Sequence, residues 1–333
     1  MSINKNFATL LSLVTSKAAV ASFKYIGKKD KNGADKAAVD VMRNELNNLD
    51  IDGEIVIGEG ELDEAPMLYV GEKVGSGNGI SLDIAVDPVE GTNFVANNLP
   101  GGMSILSVAK KGDLFNAPET YMDKIAYGSD IPKDCLDLDY SVKKNINNLA
   151  DFKRVKTSEL SVCILDRPRH KKIIDELKRL KVNIKFITDG DVSGALFVSN
   201  KKYLVDLFIG IGGGPEGVLA ASALDSFNCK FQGRFLFNDD ATKNRARKMG
   251  IKDFNKKYSL NEIVKGESIF CSTGITNSDI VKGVKLLNNT YETGTLVTHK
   301  NNSINIVKNK IANTWLSLIF AIKEPFLVPS SIG

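Results

Sequence analysis

Short apolar segments alternate with helical patterns along the second half of the chain, and this alternation restricts the fold more than any other feature. Helical patterns lie at 170–180 and 217–224. The segments that predict strands lie around them, at 161–165, 183–187, 203–209 and 268–272. Strands that alternate with helices are typical of α/β folds.

The first half of the chain is organised differently. Two helical patterns, 6–25 and 34–46, precede a less regular series of β-rich segments. The segments that predict strands there are 54–57, 80–86 and 103–109, with a possible helix at 65–74. Helices packed on an irregular sheet are expected from such a pattern, so the chain as a whole is predicted to be α/β, in the mixed α+β sense.

Two stretches could divide domains, the polar stretch at 145–159 and the basic tract at 242–257. We favour the first, because strands that alternate with helices begin just after it. The length suits about two domains, by the soft prior of roughly 150 residues each. We therefore expect an N-terminal α+β domain over residues 1–150 and a C-terminal α/β domain over residues 151–333.

Composition excludes several classes of protein. With 43% hydrophobic and 25% charged residues, the chain is typical of a globular protein and unlike a disordered one. No apolar run approaches the roughly 20 residues that a membrane-spanning helix needs, so we expect no membrane partner. The amino terminus loosely resembles a signal peptide, but Thr and Ser residues interrupt its apolar stretch and amphipathic spacing continues through it.

Cysteine and histidine usage restricts the kind of metal site. The four cysteines are far apart and form no CxxC pair, which argues against a zinc cluster or a dense disulfide framework. We expect reduced thiols and a cytoplasmic location. Only two histidines are present, His170 and His299, so a multi-histidine site is excluded. Any metal must be held mainly by oxygen, which favours Mg²⁺, Mn²⁺ or Ca²⁺.

Acidic residues concentrate in one window of a chain that is basic overall. Residues 51–109 contain ten Asp or Glu and one Lys, whereas the whole chain has 44 Lys or Arg and 40 Asp or Glu. Such a window repels phosphate polymers, so we expect no nucleic-acid partner. A site for a divalent cation is the first hypothesis that it suggests.

Two segments hold most of the acids in this window. In 57–66 a strand pattern ends in a glycine-containing turn with four acids, which by itself favours a solvated loop. In 83–92 apolar residues precede Asp87, and Glu90 follows Pro88, which we expect to turn the chain. A buried carboxylate at a strand end, beside a second acid, needs a cation to offset its desolvation.

Together these motifs resemble a known family. The pattern Asp-Pro-x-Glu-Gly-Thr at 87–92 is similar to the metal-binding signature of the lithium-sensitive sugar and inositol phosphatase superfamily. Segments 56–69 and 83–92 resemble, more closely, the bacterial class II fructose-1,6-bisphosphatases. The resemblance continues at 30–35, 116–122, 167–170, 189–191, 210–217 and 272–276. It implies the layered αβαβα fold of sugar phosphatases, with a metal-binding first domain and a sugar-phosphate-binding second domain.

The resemblance implies a divalent cation, Mn²⁺ or Mg²⁺. The acids that it assigns to the metal are Asp35, Glu59, Asp87, Glu90 and Glu216. Two of them have ordinary alternatives. Asp35 could instead cap the helix that begins near it. Glu216 could lie in a structural glycine-rich loop, although the run Gly-Gly-Gly-Pro-Glu-Gly favours a loop that faces a ligand.

The resemblance also implies that Asp63 and Thr92 act in turnover. Asp63 could orient or deprotonate the attacking water, and Thr92 could hydrogen-bond to the phosphate or to that water. The sequence does not separate these roles. A surface acid is the alternative interpretation of Asp63.

Candidate substrate contacts follow two predicted strands. Arg167 and Arg169, on either side of Pro168, lie just beyond one strand and can reach an anionic group at its carboxyl edge. Asp189 and Asp191 follow the next strand and can accept hydrogen bonds from adjacent hydroxyls. The resemblance implies substrate contacts at Arg167, Pro168, Arg169, Asp189 and Asp191, and also at Glu90, Gly91, Thr92, Tyr121, Gly190 and Gly213. Lys31 is a weaker candidate, because a solvated lysine is an equally good interpretation.

We therefore expect a cytoplasmic homo-oligomer, a dimer or tetramer, that removes the 1-phosphate of fructose 1,6-bisphosphate to give fructose 6-phosphate in gluconeogenesis. One alternative keeps the metal chemistry and changes the substrate to sedoheptulose 1,7-bisphosphate or an inositol phosphate. A second alternative is a cation-binding module without catalysis. The Arg-Pro-Arg and Asp-Gly-Asp elements argue against the module, since bare cation binding does not need them.

Overall fold

The computed structural model describes residues 3–58, 68–300 and 304–315 of the 333-residue chain. The strands are β1 (Ile51–Ile57), β2 (Lys73–Val74), β3 (Ile80–Glu90), β4 (Met103–Lys110), β5 (Tyr121–Tyr127), β6 (Ser161–Leu165), β7 (Asn183–Ile187), β8 (Leu207–Gly213), β9 (Lys230–Leu236), β10 (Tyr258–Ser259), β11 (Ser268–Gly274), β12 (Lys285–Leu287), β13 (Thr290–His299) and β14 (Asn305–Ala312). The α-helices are α1 (Lys5–Phe23), α2 (Lys31–Asn47), α3 (Thr92–Ala96), α4 (Val142–Lys153), α5 (Lys171–Arg179), α6 (Asp191–Leu196), α7 (Gly214–Asp225), α8 (Asp240–Lys248) and α9 (Leu260–Ile263).

The strands form two mixed sheets. In the first sheet the order is β12-β13-β11-β4-β3-β1-β2, with β14 paired to β13. Strands β1 and β3 are parallel there, and the other pairs are antiparallel. In the second sheet the order is β10-β9-β5-β8-β6-β7, with β6 parallel to both β7 and β8.

Helices and sheets stack in five layers. Helix α1 packs on strands of the first sheet, and α2 packs on α1 and β3. Helix α7 contacts strands of both sheets and so lies between them. Apolar residues of α4 and α5 cover the other face of the second sheet. This order of layers confirms the mixed α/β prediction and its αβαβα arrangement.

Strand β3 is buried on both of its faces. Ile84 and Val86 belong to the apolar core beneath α1 and α2, whereas Ala85 belongs to the core between the two sheets. This is the alternation that a strand requires, because successive side chains point to opposite faces. Burial on both faces explains the almost continuous apolar run that precedes Asp87.

The two sheets do not follow the order of the chain. Strand β5 precedes residue 150 and lies in the second sheet, whereas β11 to β14 follow that residue and lie in the first. Residue 150 itself lies inside α4. A division into domains at 1–150 and 151–333 stays a prediction.

Two element predictions are wrong for the described residues. No helix is formed at 68–74, where the chain turns through Gly71, at a φ of 93°, and enters β2. The Glu72 side chain binds Arg43, with 2.5 Å between Oε1 and Nε, and accepts the Tyr69 N–H at 3.2 Å, which holds this turn on α2. The strand expected at 203–209 begins later, as β8.

No helix in the part of the chain that the structure describes is both long enough and apolar enough to cross a membrane. The four cysteines are free thiols, and three of them are buried.

Candidate active site

Most of the residues expected to contact substrate lie at one edge of the second sheet, apart from those at 90–92. Because β6, β7 and β8 run in the same direction, their carboxyl ends lie at the same edge. The segments 167–169 and 189–191 follow β6 and β7, and 213–216 contains the last residue of β8 and the start of α7. Tyr121 begins the antiparallel strand β5 and pairs with Gly213, so it lies at this edge as well. The structure thus brings together the sugar-binding candidates of four elements.

Arg169 is held in place by two groups of the second sheet. Its guanidinium lies 4.9 Å from the centre of the Tyr121 ring, and its Nε donates to the Ile211 carbonyl at 2.9 Å. Both side chains are exposed, with Tyr121 at 46%. Arg167 is half-buried and donates from Nη1 to its neighbour, the Asp166 carbonyl, at 3.2 Å. An anion at this edge can therefore reach an oriented guanidinium.

A short 3₁₀ turn, Pro168–His170, presents Arg169, and His170 anchors it. The ring is fully buried between the ends of β6 and β8. Its Nε2 accepts the Ile211 N–H at 2.8 Å, so its Nδ1 carries the proton and donates to the Leu165 carbonyl at 2.7 Å. Burial lowers the pKa of His170, in keeping with a neutral ring. The sequence motif contained this residue, but its role as an anchor was not foreseen.

The acids of β3 face the layer between the sheets. Glu90 is 4% exposed, and its Oε1 accepts the Val192 N–H of α6 at 2.8 Å. The half-buried Asp87 carboxyl is in hydrogen-bond contact with that of Glu90. Burial, together with the negative charges of Glu216 and Asp191, raises the pKa of Glu90 to about 7. The end of the first sheet is thereby joined to the edge of the second.

Glu216 lies in the first turn of α7, directly after β8. Burial raises the pKa of its carboxyl, and nearby Asp191 and Asp189 add to the rise, whereas Lys124 opposes it. Gly213 makes room for this carboxylate, because a Cβ at that position would lie 1.8 Å from Glu216 Oε2. The glycine-rich run at 212–214 therefore leaves room for the carboxylate of Glu216.

Lys124 is a buried residue of the site that sequence reasoning missed. It lies on β5, is 1% exposed, and forms an ion pair with Asp191. Its Nζ also donates to the Gly213 carbonyl at 2.7 Å. A signal was present in the sequence: Lys124 shares a strand face with Met122 and Ala126, which are buried apolar residues.

The remaining sugar-binding candidates lie beside these groups. Gly190 precedes α6 with a left-handed φ of 80°, and Asp189 before it is half-buried. Asp189 lines a cavity of about 340 Å³ together with Phe94 of α3 and Ser193 of α6. The cavity thus lies between the end of the first sheet and the edge of the second.

Gly91 and Thr92 connect β3 to α3. Gly91 has a left-handed φ of 76°, and the chain turns there. The turn places Thr92, half-buried, at the first position of α3. Thr92 therefore follows directly after the acids of β3.

Asp35 is a buried residue of α2, and it does not cap that helix. The N-cap is Asp30, whose Oδ1 accepts the Gly33 N–H at 2.8 Å. The capping alternative for Asp35 is therefore wrong. Lys31 is the exposed first residue of the same helix.

Glu59 and Asp63 lie outside the described residues. The strand that leads towards them, β1, is parallel to β3, and its Ile57 pairs with Ala85. The chain therefore leaves β1 at the same edge as the acids of β3.

The donor set fits a cation that prefers oxygen. In residues 3–58, 68–300 and 304–315, no three His, Cys, Asp or Glu side chains form a ready ligand group. The acids that are described nevertheless crowd together: burial raises the pKa of Glu90 and of Glu216, and the charge of Asp191 adds to both rises. Asp191 Oδ1 is buried without a hydrogen-bond partner among these residues. Crowded carboxylate oxygens suit a hard divalent cation better than a softer metal.

Comparison with known proteins identifies the family. The family described as bacterial fructose-1,6-bisphosphatase, glpX-encoded, matches residues 5–311. Fructose-1,6-bisphosphatase 1 class 2 of Escherichia coli (strain K12) is 40% identical over 309 residues, which cover 89% of this chain and 91% of that protein.

A relative from Prochlorococcus marinus (strain MIT 9301) is named D-fructose 1,6-bisphosphatase class 2/sedoheptulose 1,7-bisphosphatase. It is 41% identical over 298 residues, 85% of this chain and 89% of its own. A solved structure, an extragenic suppressor from Pyrococcus furiosus, covers 58% of this chain and 70% of its own at 14% identity and a TM-score of 0.29, which is too low to inform the fold. The two enzymes and the match over nearly the whole chain agree: the chain belongs to the family of bacterial class 2 fructose-1,6-bisphosphatases.

Proposed function

We propose that this site hydrolyses the 1-phosphate of fructose 1,6-bisphosphate to give fructose 6-phosphate and inorganic phosphate. The proposal rests on one observation, the hydrogen bond from Val192 to Glu90, which joins the acidic end of β3 to the edge that bears Arg169. The hydrogen bond therefore lies between acids that suit a cation, at the end of β3, and an arginine that suits a phosphate, at the edge of the second sheet. A substrate with two phosphates matches such a site.

The protein would hold a divalent cation, Mg²⁺ or Mn²⁺, through carboxylate oxygens. The candidate ligands are Asp35, Glu59, Asp87, Glu90 and Glu216. When bound, the cation supplies neutralisation of phosphate charge and Lewis acidity. Burial and the neighbouring negative charges raise the pKa of Glu90 and Glu216, and a bound cation would offset both effects.

Two side chains would act on the reacting phosphate and the attacking water. Thr92, at the start of α3, would donate its hydroxyl proton in a hydrogen bond to a phosphate oxygen or to the water. Asp63 would orient the water or accept its proton. No covalent bond to the protein is needed, because positioning and charge stabilisation are the main requirements of phosphoryl transfer.

The second sheet would bind the rest of the substrate. Arg169, oriented by Tyr121, would bind the distal phosphate, and Arg167 would contribute a second positive charge. Asp189 and Asp191 would accept hydrogen bonds from sugar hydroxyls. Holding the distal phosphate in this way fixes which of the two phosphates reaches the acids.

Phosphate release tests the proposal. With Mn²⁺ or Mg²⁺ present, fructose 1,6-bisphosphate should be hydrolysed, and fructose 6-phosphate should be the only sugar product. A chelator should abolish the reaction, and added Mn²⁺ should restore it. No release from fructose 1,6-bisphosphate with either metal would refute the proposed activity.

The name of the Prochlorococcus marinus relative makes sedoheptulose 1,7-bisphosphate the second candidate substrate. The same assay, run with that sugar and with inositol 1-phosphate, compares kcat/KM across the three compounds. A larger kcat/KM for fructose 1,6-bisphosphate is expected.

We further propose that the protein is a cytoplasmic homo-oligomer, a dimer or tetramer. Light scattering of the purified protein tests the oligomeric state.

A further inference from the structure

Lys124 is a charged residue in an apolar environment. Its side chain is 1% exposed, and its neighbours on the same face of β5, Met122 and Ala126, belong to the core between the sheets. Lysine is almost never fully buried unless it is paired. The position therefore needs an explanation in terms of what the ammonium group holds.

The ammonium group links two elements that end at the substrate edge. It pairs with Asp191 at the start of α6, and it donates to the Gly213 carbonyl at the end of β8 at 2.7 Å. Gly212 makes room for the Asp191 carboxylate, because a Cβ at that position would lie 2.1 Å from Asp191 Oδ2. The sequence places Lys124 67 residues from one partner and 89 from the other, so the link forms only in the folded protein.

The pairing satisfies only one of the two carboxylate oxygens of Asp191. Lys124 takes Oδ2, whereas Oδ1 is buried and has no hydrogen-bond partner within the described part of the chain. Asp191 as a whole is 8% exposed. A buried carboxylate oxygen with an open lone pair costs free energy until a donor reaches it. A sugar hydroxyl is a donor of the right kind, and it would arrive with the substrate.

We propose that Lys124 is a positioning residue, which fixes Asp191 and the end of β8 so that Asp191 Oδ1 faces the sugar, and which does not touch the substrate itself. This inference rests on the proposed function. It differs from a role at the metal, because Lys124 contacts the sugar-binding acid and a backbone carbonyl. The inference also predicts that Lys124 affects substrate binding only through Asp191.

A double-mutant cycle tests the inference. Lys124→Met, which keeps the length and removes the charge, should raise KM for fructose 1,6-bisphosphate on the order of 10-fold, because it leaves a buried carboxylate without its partner. In an Asp191→Asn background the same change should raise KM by less than about 3-fold. Binding of Mn²⁺ alone, measured by calorimetry, should not weaken, because the variant loses a positive charge near Glu216. Equal effects in both backgrounds, or weakened Mn²⁺ binding with unchanged KM, would overturn the inference.

A matched control and a second measurement complete the design. Lys153 forms an ion pair with Asp206, away from the substrate edge, so Lys153→Met should leave KM unchanged. If Lys124→Met does not fold, a crystal structure of the wild-type protein with fructose 6-phosphate shows whether the sugar contacts Asp191 or Lys124. A sugar hydroxyl on Asp191 Oδ1 is the expected result, whereas a contact from Lys124 Nζ to the sugar or its phosphate would overturn the proposal. A wild-type protein that hydrolyses no fructose 1,6-bisphosphate would refute the proposed function, and this inference with it.

Discussion

Asp87 and Glu90 lie three residues apart on one strand, yet their carboxyl groups contact each other. In a regular strand, residues three apart point to opposite faces. Here Asp87 pairs with Ile105 and Glu90 with Met103, so two residues of β3, 88–89, stand opposite one residue of β4. This β-bulge turns Glu90 to the face that bears Asp87, and both acids point into the layer between the sheets.

The first prediction concerns this pair. Asp87→Asn should lower kcat/KM for fructose 1,6-bisphosphate by about 100-fold or more, because a carboxylate that would bind the cation is lost. The melting temperature in chelator should stay near the wild-type value, because Asn keeps the size of the side chain and can still donate a hydrogen bond to Glu90. Steady-state kinetics at saturating Mn²⁺ and thermal unfolding measure the two effects. Near-normal turnover by the folded variant would contradict the assignment.

Asp83 supplies the matched control on the same strand. Its Oδ2 accepts the Gly112 N–H at 2.7 Å and the Leu114 N–H at 3.2 Å, so it holds the loop after β4. Asp83→Asn should lower the melting temperature and leave kcat/KM within about 3-fold of the wild-type value, because these contacts are structural.

The second prediction concerns the close approach of Gly213 to Glu216. In Gly213→Ala the new Cβ would meet Glu216 Oε2 at 1.8 Å, so the carboxylate has to move. Affinity for Mn²⁺ should fall about 10-fold, as is usual when the support of a metal ligand is disturbed. Calorimetric titration with Mn²⁺ measures it. Gly294→Ala is the control, because the nearest atom there is 3.4 Å away. Unchanged Mn²⁺ affinity in Gly213→Ala would remove Glu216 from the ligand set.

The third prediction concerns the stacked pair of Arg169 and Tyr121. Arg169→Ala should raise KM for fructose 1,6-bisphosphate about 10- to 100-fold, as expected for the loss of hydrogen bonds to a charged group. Its effect on kcat should be smaller, because the side chain would bind the distal phosphate. Hydrolysis of fructose 1-phosphate, which has no distal phosphate, should be unaffected.

Arg247 offers a control with the same geometry, since its guanidinium also lies 4.9 Å from an aromatic ring, that of Phe254. Arg247→Ala should leave the kinetics unchanged. If Arg169→Ala lowered kcat and left KM as it was, Arg169 would have to act on the reacting phosphate.

Local patterns explain why part of the site could be predicted from the sequence. The segments 161–165 and 183–187 match β6 and β7 residue for residue, because short apolar runs between helices are a local signal. Parallel strands then bring whatever follows them to one edge, and Arg169 and Asp191 are found there. The prediction needed no knowledge of long-range contacts.

The rest depends on contacts between distant parts of the chain. Pro88 was expected to turn the chain, but β3 continues through it as a bulge, and the bulge is defined only by the register with β4. The bond from Val192 to Glu90 spans 102 residues, and the pairing of Lys124 with Asp191 spans 67. Side-chain pairs of this kind follow from the packing of the two sheets, which periodicity does not encode.

The last prediction concerns the pH dependence of stability and rests on His170. His170→Leu should be less stable than the wild-type protein at pH 7.5 by about 1–3 kcal/mol, because the half-buried Ile211 N–H and the buried Leu165 carbonyl lose their partner. Burial lowers the pKa of His170 below its ordinary value of 6.5, so below that pH the unfolded state binds more protons than the native state. The wild-type protein therefore loses stability as the pH falls, and its advantage over the variant narrows. Urea unfolding at pH 7.5, 6.5 and 5.5 measures this difference in stability between the two proteins. A difference that stays constant over this range would show that His170 is not held as a neutral anchor.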